Sequence, residues 1–164
     1  MNEHRTTNIE HRTSNKLRRG VSPQSQSDDR AKFNLEERLL EFASVVIDVS
    51  ESLPKTRAGN HVAGQLLRSG TSPYSNHGEA ESAESPDDFI HKMKVCLKEL
   101  RETRRWLRLI ERKHWLTEGT RLRFALSEVE ELIRIFAASV RTAETNRRRR
   151  AASASGLTEA NPVR

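Results

Sequence analysis

The sequence predicts an all-α protein: an antiparallel four-helix bundle with disordered N- and C-terminal tails. Three observations carry this expectation. First, only 7 of the 164 residues are glycine and 5% are aromatic, while Leu, Ala, Glu and Arg abound, which favours helices over sheets. Second, apolar residues recur at steps of three and four through four separate windows. Third, the links between those windows are short and hold residues that start and stop helices. The length suits one ordinary domain. We divide the chain into a tail at 1–29, the bundle at 30–143 and a basic tail at 144–164.

The first tail contains a duplication, EHRTTN at 3–8 and EHRTSN at 10–15. Its seven-residue period resembles a coiled coil. Only Ile9 and Leu17 are sizeable apolar residues before Val21, however, so no seam can be buried. SPQSQSDD follows, and such composition is expected to be disordered.

The first helix is expected to start at Asn34 as N-cap, with Glu37 completing a capping box. Leu35, Leu39, Phe42, Ala43, Val46, Ile47 and Leu53 then recur at helical spacing until Pro54. The second runs from about Gly59 to Ala83, with Val62, Leu66, Ser69, Pro73, Asn76, Ala80 and Ala83 on one face. The third opens on Ser85 as N-cap, Pro86 at the first helical position and two acids, Asp87 and Asp88, in the first turn. Phe89, Met93, Cys96, Leu100, Thr103, Leu107 and Ile110 form its apolar stripe. The fourth follows Thr117–Gly119 with Leu122, Ala125, Leu126, Val129, Leu132, Ile133, Phe136 and Val140.

Within the second window, QLLRSGTSPYSNHGEA (65–80) looks superficially like a catalytic loop. A phosphate-binding loop would need glycine-rich backbone followed by Gly-Lys-Ser/Thr, and RSGTSP has neither the lysine nor the spacing. A nucleophile elbow needs Gly-x-Ser-x-Gly between strand and helix, and no strand is expected here. A serine nucleophile would need a neighbouring base, which the sequence does not nominate. We therefore read Ser69, Pro73 and Asn76 as a structural seam. Its small polar residues let a neighbouring helix approach and must find hydrogen bonds if buried. Pro73 removes one backbone bond and should kink the helix, with Gly70 absorbing the bend.

QLLRSGTS, with Asn76 and Glu79-Ala80 after it, then SPDDFIHKM and LKELRETRRWLRLI, resembles a known family of four-helix bundles over residues 33–140. That family comprises proteins encoded in intervening sequences of bacterial 23S ribosomal RNA genes. It includes the accessory variability protein of diversity-generating retroelements. The resemblance implies a ring-shaped homopentamer and, for the retroelement branch, binding to nucleic acid and to a reverse transcriptase. Members usually carry an aliphatic residue where this chain has Pro73, and lack such long tails.

The formal net charge is +6, but its distribution is more informative. Residues 1–29 are net +1 and residues 141–164 net +4, leaving +1 for residues 30–140. Helix three departs from this near-neutrality. Lys94, Lys98, Arg101, Arg105, Arg108 and Arg112 recur at steps of four and three opposite its apolar stripe, with His91 extending the row. Such a row spans about 27 Å. Like charges at i,i+4 cost about 0.2–0.5 kcal/mol per pair in an isolated helix, so an external anion is expected. Acids gather instead at Glu79, Glu81, Glu84, Asp87 and Asp88.

Three readings of the row stand: it binds nucleic-acid phosphates, it aligns subunits against the acidic cluster, or it is a solvated face. RRRR at 147–150 offers a further non-specific phosphate contact on a flexible leash. Trp106 and Trp115 are expected to serve packing rather than base stacking.

No enzyme, metal site or cofactor is expected. His77 and Glu81 lie one turn apart, which is common by chance, and Cys96 falls on the apolar stripe. The single cysteine suits a reducing compartment. With no long apolar run and no secretory core, a soluble, cytoplasmic protein without membrane contact is expected.

Overall fold

The computed structural model describes residues 23–116 and 119–158, and side chains over 35–116 and 119–154. It contains four helices: α1 (Pro23–Glu51), α2 (Arg57–Glu81), α3 (Pro86–Lys113) and α4 (Thr120–Thr158), with no strand among the described residues. Each helix packs on its sequence neighbour, and α1 closes the ring against α4. Ion pairs crossing the seams run in opposite directions along paired helices. Arg38–Glu128 and Asp48–Arg121 join α1 to α4, while Lys94–Glu144 and Arg104–Glu130 join α3 to α4. The architecture is the expected antiparallel bundle.

Local chemistry accounts for the helix ends. The Thr56 hydroxyl accepts from the Gly59 amide at 3.1 Å and caps α2, while Ser85 accepts from Asp88 at 3.1 Å and caps α3. Helix α3 ends at His114, whose left-handed φ of 51° turns the chain while its amide bonds the Glu111 carbonyl at 3.0 Å.

Helix α2 is shifted by two residues at each end, and two other boundaries differ more from those read in the sequence. Helix α1 is already formed at Pro23, so Asn34 lies inside it rather than at its cap. Proline suits a first helical position, and no glycine or proline interrupts the residues after it. Helix α4 continues past Val140 to Thr158, carrying all four arginines of 147–150 in helical register. Arginine and alanine are strong helix formers, and no breaker precedes Gly156. The duplication at 3–15 lies outside the described residues.

Phe42, Leu66, Leu100, Leu107, Leu132 and Phe136 are sealed from solvent at the centre of the bundle. Ile47, expected inside, is 44% exposed and Val49 occupies the buried position instead. One residue turns a helical side chain by about 100°, and Val46 already holds the inward direction. Between α1 and α2 the backbone approach is close. A Cβ on Gly70 would lie 2.5 Å from Cγ1 of Val46, so the neighbour that requires this glycine is a side chain of α1.

Candidate functional site

Helix α3 presents Lys94, Lys98, Arg101, Arg105, Arg108 and Arg112 to solvent along one face. The same helix is tied down on both flanks. Toward α2, Arg68 reaches Glu99 at 3.4 Å and also bonds Glu102. Toward α4, Arg104 holds Glu130 at 3.1 Å. The cationic row is thus a fixed ridge between two anchored seams.

Its members are not equivalent. Lys94 pairs with Glu144 at 2.7 Å, and this hydrogen bond and charge hold the Glu144 carboxyl below its usual value. Lys98 has Glu99 at 4.0 Å. Among the described residues, Arg101, Arg105, Arg108 and Arg112 make no ion pair within 4.0 Å. The uncompensated charge therefore lies on the part of the row toward the end of α3.

The acidic cluster is treated differently. Glu79 bonds Lys92, Asp87 accepts from Arg147 at 2.6 Å, and Glu81 lies 3.8 Å from His77 Nδ1. No basic residue lies among these acids in the sequence. The structure supplies them from outside the cluster: Lys92 faces α2 from α3, and the continuation of α4 brings Arg147 alongside the start of α3. One of the 147–150 arginines is therefore an internal partner as well as a basic surface group.

Lys98, Arg101 and Arg105 also border a surface recess of about 910 Å³ that includes Trp106 and Leu109. Trp106 packs on the core as expected, yet it also lines this recess and stays partly exposed. Its Nε1 donates to Glu102 at 3.4 Å, and the His61 ring meets it edge-on at 6.2 Å. Burial pushes the Glu102 carboxyl upward, but the bonds from Arg68 and Trp106 outweigh it and hold the group below its usual value. Helical phase could have flagged Trp106, since it falls at the edge of the apolar stripe and not within it.

In the seam, Ser69 and Pro73 point inward as expected. The Ser69 hydroxyl donates to the Gln65 carbonyl at 2.9 Å and lies 3.1 Å from Thr103 Oγ1, which in turn donates to the Glu99 carbonyl at 2.9 Å. The Pro73 carbonyl accepts from Cys96 Sγ at 3.6 Å. Asn76 departs from the expected placement. It is only half-buried and bonds its own helix, through Nδ2 to the carbonyl and hydroxyl of Ser72 at 2.9 Å each. His77 takes the inward position, its ring edge-on to Phe136 at 6.0 Å. The buried residues of α2 run through Leu66, Gly70, Pro73, His77 and Ala80, so from Pro73 the step of four, and not the step of three, stays inside.

Burial pushes the Cys96 thiol up to about 12. Among the described residues no three His, Cys, Asp or Glu side chains are placed to hold a metal, and no helix is long and apolar enough to cross a membrane.

Comparison with known proteins agrees with the architecture. A family model described as 23S rRNA-intervening sequence protein matches residues 31–138. A crystal structure of a protein with unknown function from the S23 ribosomal protein family of Bacteroides thetaiotaomicron is 31% identical, with a TM-score of 0.59. The match covers 64% of this chain and 96% of that one. No curated protein matches the sequence.

Proposed function

This chain belongs to the 23S rRNA-intervening sequence protein family, and from that premise we propose that it is a non-enzymatic, oligomeric bundle that binds nucleic acid through the exposed row of α3. The observation that carries this reading is the set of four arginines, Arg101, Arg105, Arg108 and Arg112, exposed on one face without an ion-pair partner among the described residues. Steps of three and four set these guanidinium groups about 5 Å apart along the axis. A polyanion can neutralise several of them together, releasing its own counterions. Arginine adds paired donors that match phosphate oxygens. Backbone contact of this kind carries affinity rather than base sequence.

The alternative is that charge segregation serves subunit assembly. Internal pairing of Glu79 and Asp87 leaves fewer free acids for a neighbour's row, which favours the nucleic-acid reading. Assembly has a better candidate elsewhere. Leu40 and Ile47 on α1, and Leu67 and Tyr74 on α2, are exposed and lie seven residues apart on helices that pack together. A homopentameric ring, a bacterial cytoplasmic setting and a reverse transcriptase partner belong to the same proposal. A ring would repeat the α3 row and raise affinity through multivalency.

The test uses the full chain and a fluorescent structured RNA. Lys98→Glu, Arg101→Glu and Arg105→Glu are combined, and binding is followed from low to moderate salt. Wild-type affinity should fall steeply with salt, and the variant should lose binding while keeping its oligomeric mass in light scattering. Each phosphate contact removed should lower the salt slope by about 1. Unchanged binding would refute the reading, and dissociation of the oligomer would assign the row to assembly.

A further inference from the structure

Phosphate binding alone leaves one feature of the α3 face without a role. Beside Lys98, Arg101 and Arg105, the recess of about 910 Å³ includes a partly exposed Trp106 and a 38% exposed Leu109. A duplex presents its charged backbone outward and keeps its bases stacked inside, so it has nothing to lay against an indole. An unpaired base does. Base–aromatic stacking with flanking cations is how single strands are held without sequence preference.

The indole is also held in place before any ligand arrives. Glu102 accepts from its Nε1 at 3.4 Å, Arg68 bonds the same carboxylate from α2, and His61 packs edge-on at 6.2 Å. A side chain ordered in advance loses little entropy when a ligand meets it. Arg105 precedes Trp106 in the chain, and Arg101 and Lys98 lie roughly one and two turns upstream. Arg108 and Arg112 continue the row downstream, so a strand following it would have phosphate partners on either side of a base placed at Trp106.

We propose that Trp106 is a stacking platform for an unpaired base, and that the α3 face selects single-stranded over double-stranded nucleic acid. This rests on the phosphate-binding reading above and adds the class of ligand.

The experiment compares a labelled oligoadenylate with a blunt RNA duplex of equal length on the full chain, in a Trp115→Phe background. Trp106 is then the sole tryptophan. Oligoadenylate should quench its fluorescence on binding. Trp106→Leu should weaken oligoadenylate binding about tenfold and leave duplex binding within about twofold, with Trp106→Phe recovering most of the loss. Equal losses on both probes, no loss on oligoadenylate, or no quenching would overturn the proposal. Dissociation of the oligomer by Trp106→Leu with unchanged probe binding would also overturn it, assigning the indole to a subunit contact. Should Trp106→Leu fail to fold, quenching in the Trp115→Phe chain decides by itself. If neither probe binds the wild-type chain even at low salt, the phosphate-binding reading fails first and this inference with it.

Discussion

Replacing Gly70 with alanine should strain the α1–α2 seam, and two other glycines of the same helix supply the controls. A Cβ at position 70 would meet Val46 Cγ1 at 2.5 Å, Cγ2 at 2.9 Å and Cβ at 3.1 Å, whereas at Gly64 and Gly78 nothing among the described residues lies within 4 Å. Val46 is fully buried and β-branched, so it has little freedom to rotate away. The helices must separate or the valine must leave its rotamer, at a cost of about 1–3 kcal/mol. Alanine in place of an interior helical glycine contributes about 0.8–1 kcal/mol in the other direction. Gly64→Ala and Gly78→Ala should therefore stabilise by about 1 kcal/mol, while Gly70→Ala should range from neutral to about 2 kcal/mol destabilising.

Urea unfolding, followed by far-UV circular dichroism at one fixed protein concentration, measures all three. A double-mutant cycle with Val46→Ala should recover about 1–3 kcal/mol of coupling, because the smaller side chain removes the clash. If all three glycine variants stabilise alike, or the cycle shows no coupling, the close approach of α1 and α2 at this level is refuted.

Two further predictions concern single groups. With its thiol pushed up to about 12 and its side chain buried, Cys96 should resist aromatic disulfide reagents in the folded protein and react fully in denaturant. Ready labelling of native protein would contradict this packing. For Glu102 the folded value is depressed, so its contribution to stability is present above the ordinary glutamate range and lost as pH falls through the folded value. Thermal melts of wild type and Glu102→Gln should differ above the ordinary glutamate range and converge as pH falls through the depressed folded value. Equal separation across that range would show that the carboxylate is not favourably placed.

The parts of the molecule that were legible in the sequence share a cause. The start of α3 was readable because Ser85, Pro86, Asp87 and Asp88 act through their own backbone within one turn. Its inward stripe was readable because Met93, Cys96, Leu100, Thr103, Leu107 and Ile110 repeat with the period of the helix, and all are buried. The cationic row follows from the same period, being the opposite side of that stripe. Where readings missed, the local signal was ambiguous. Asn34 is a good cap residue, but nothing before it stops a helix, so α1 starts earlier. Ile47 and Asn76 each lie about one residue from the direction that packing selects, and one residue turns a side chain by about 100°, enough to take it out of the core.

By itself, then, the sequence determined the helical class, most of the inward stripe of each helix and the position of the basic row, because all three are periodic properties of short segments. The pairing of charges was decided only by the tertiary structure. Glu144 neutralises Lys94 across fifty residues of chain, Arg147 reaches Asp87, and Arg68 steadies the carboxylate that holds Trp106. Those partners meet because antiparallel packing sets one helix beside another at a particular register. Among the described residues Arg101, Arg105, Arg108 and Arg112 are left over from that pairing, and no periodicity within α3 could have distinguished them from Lys94.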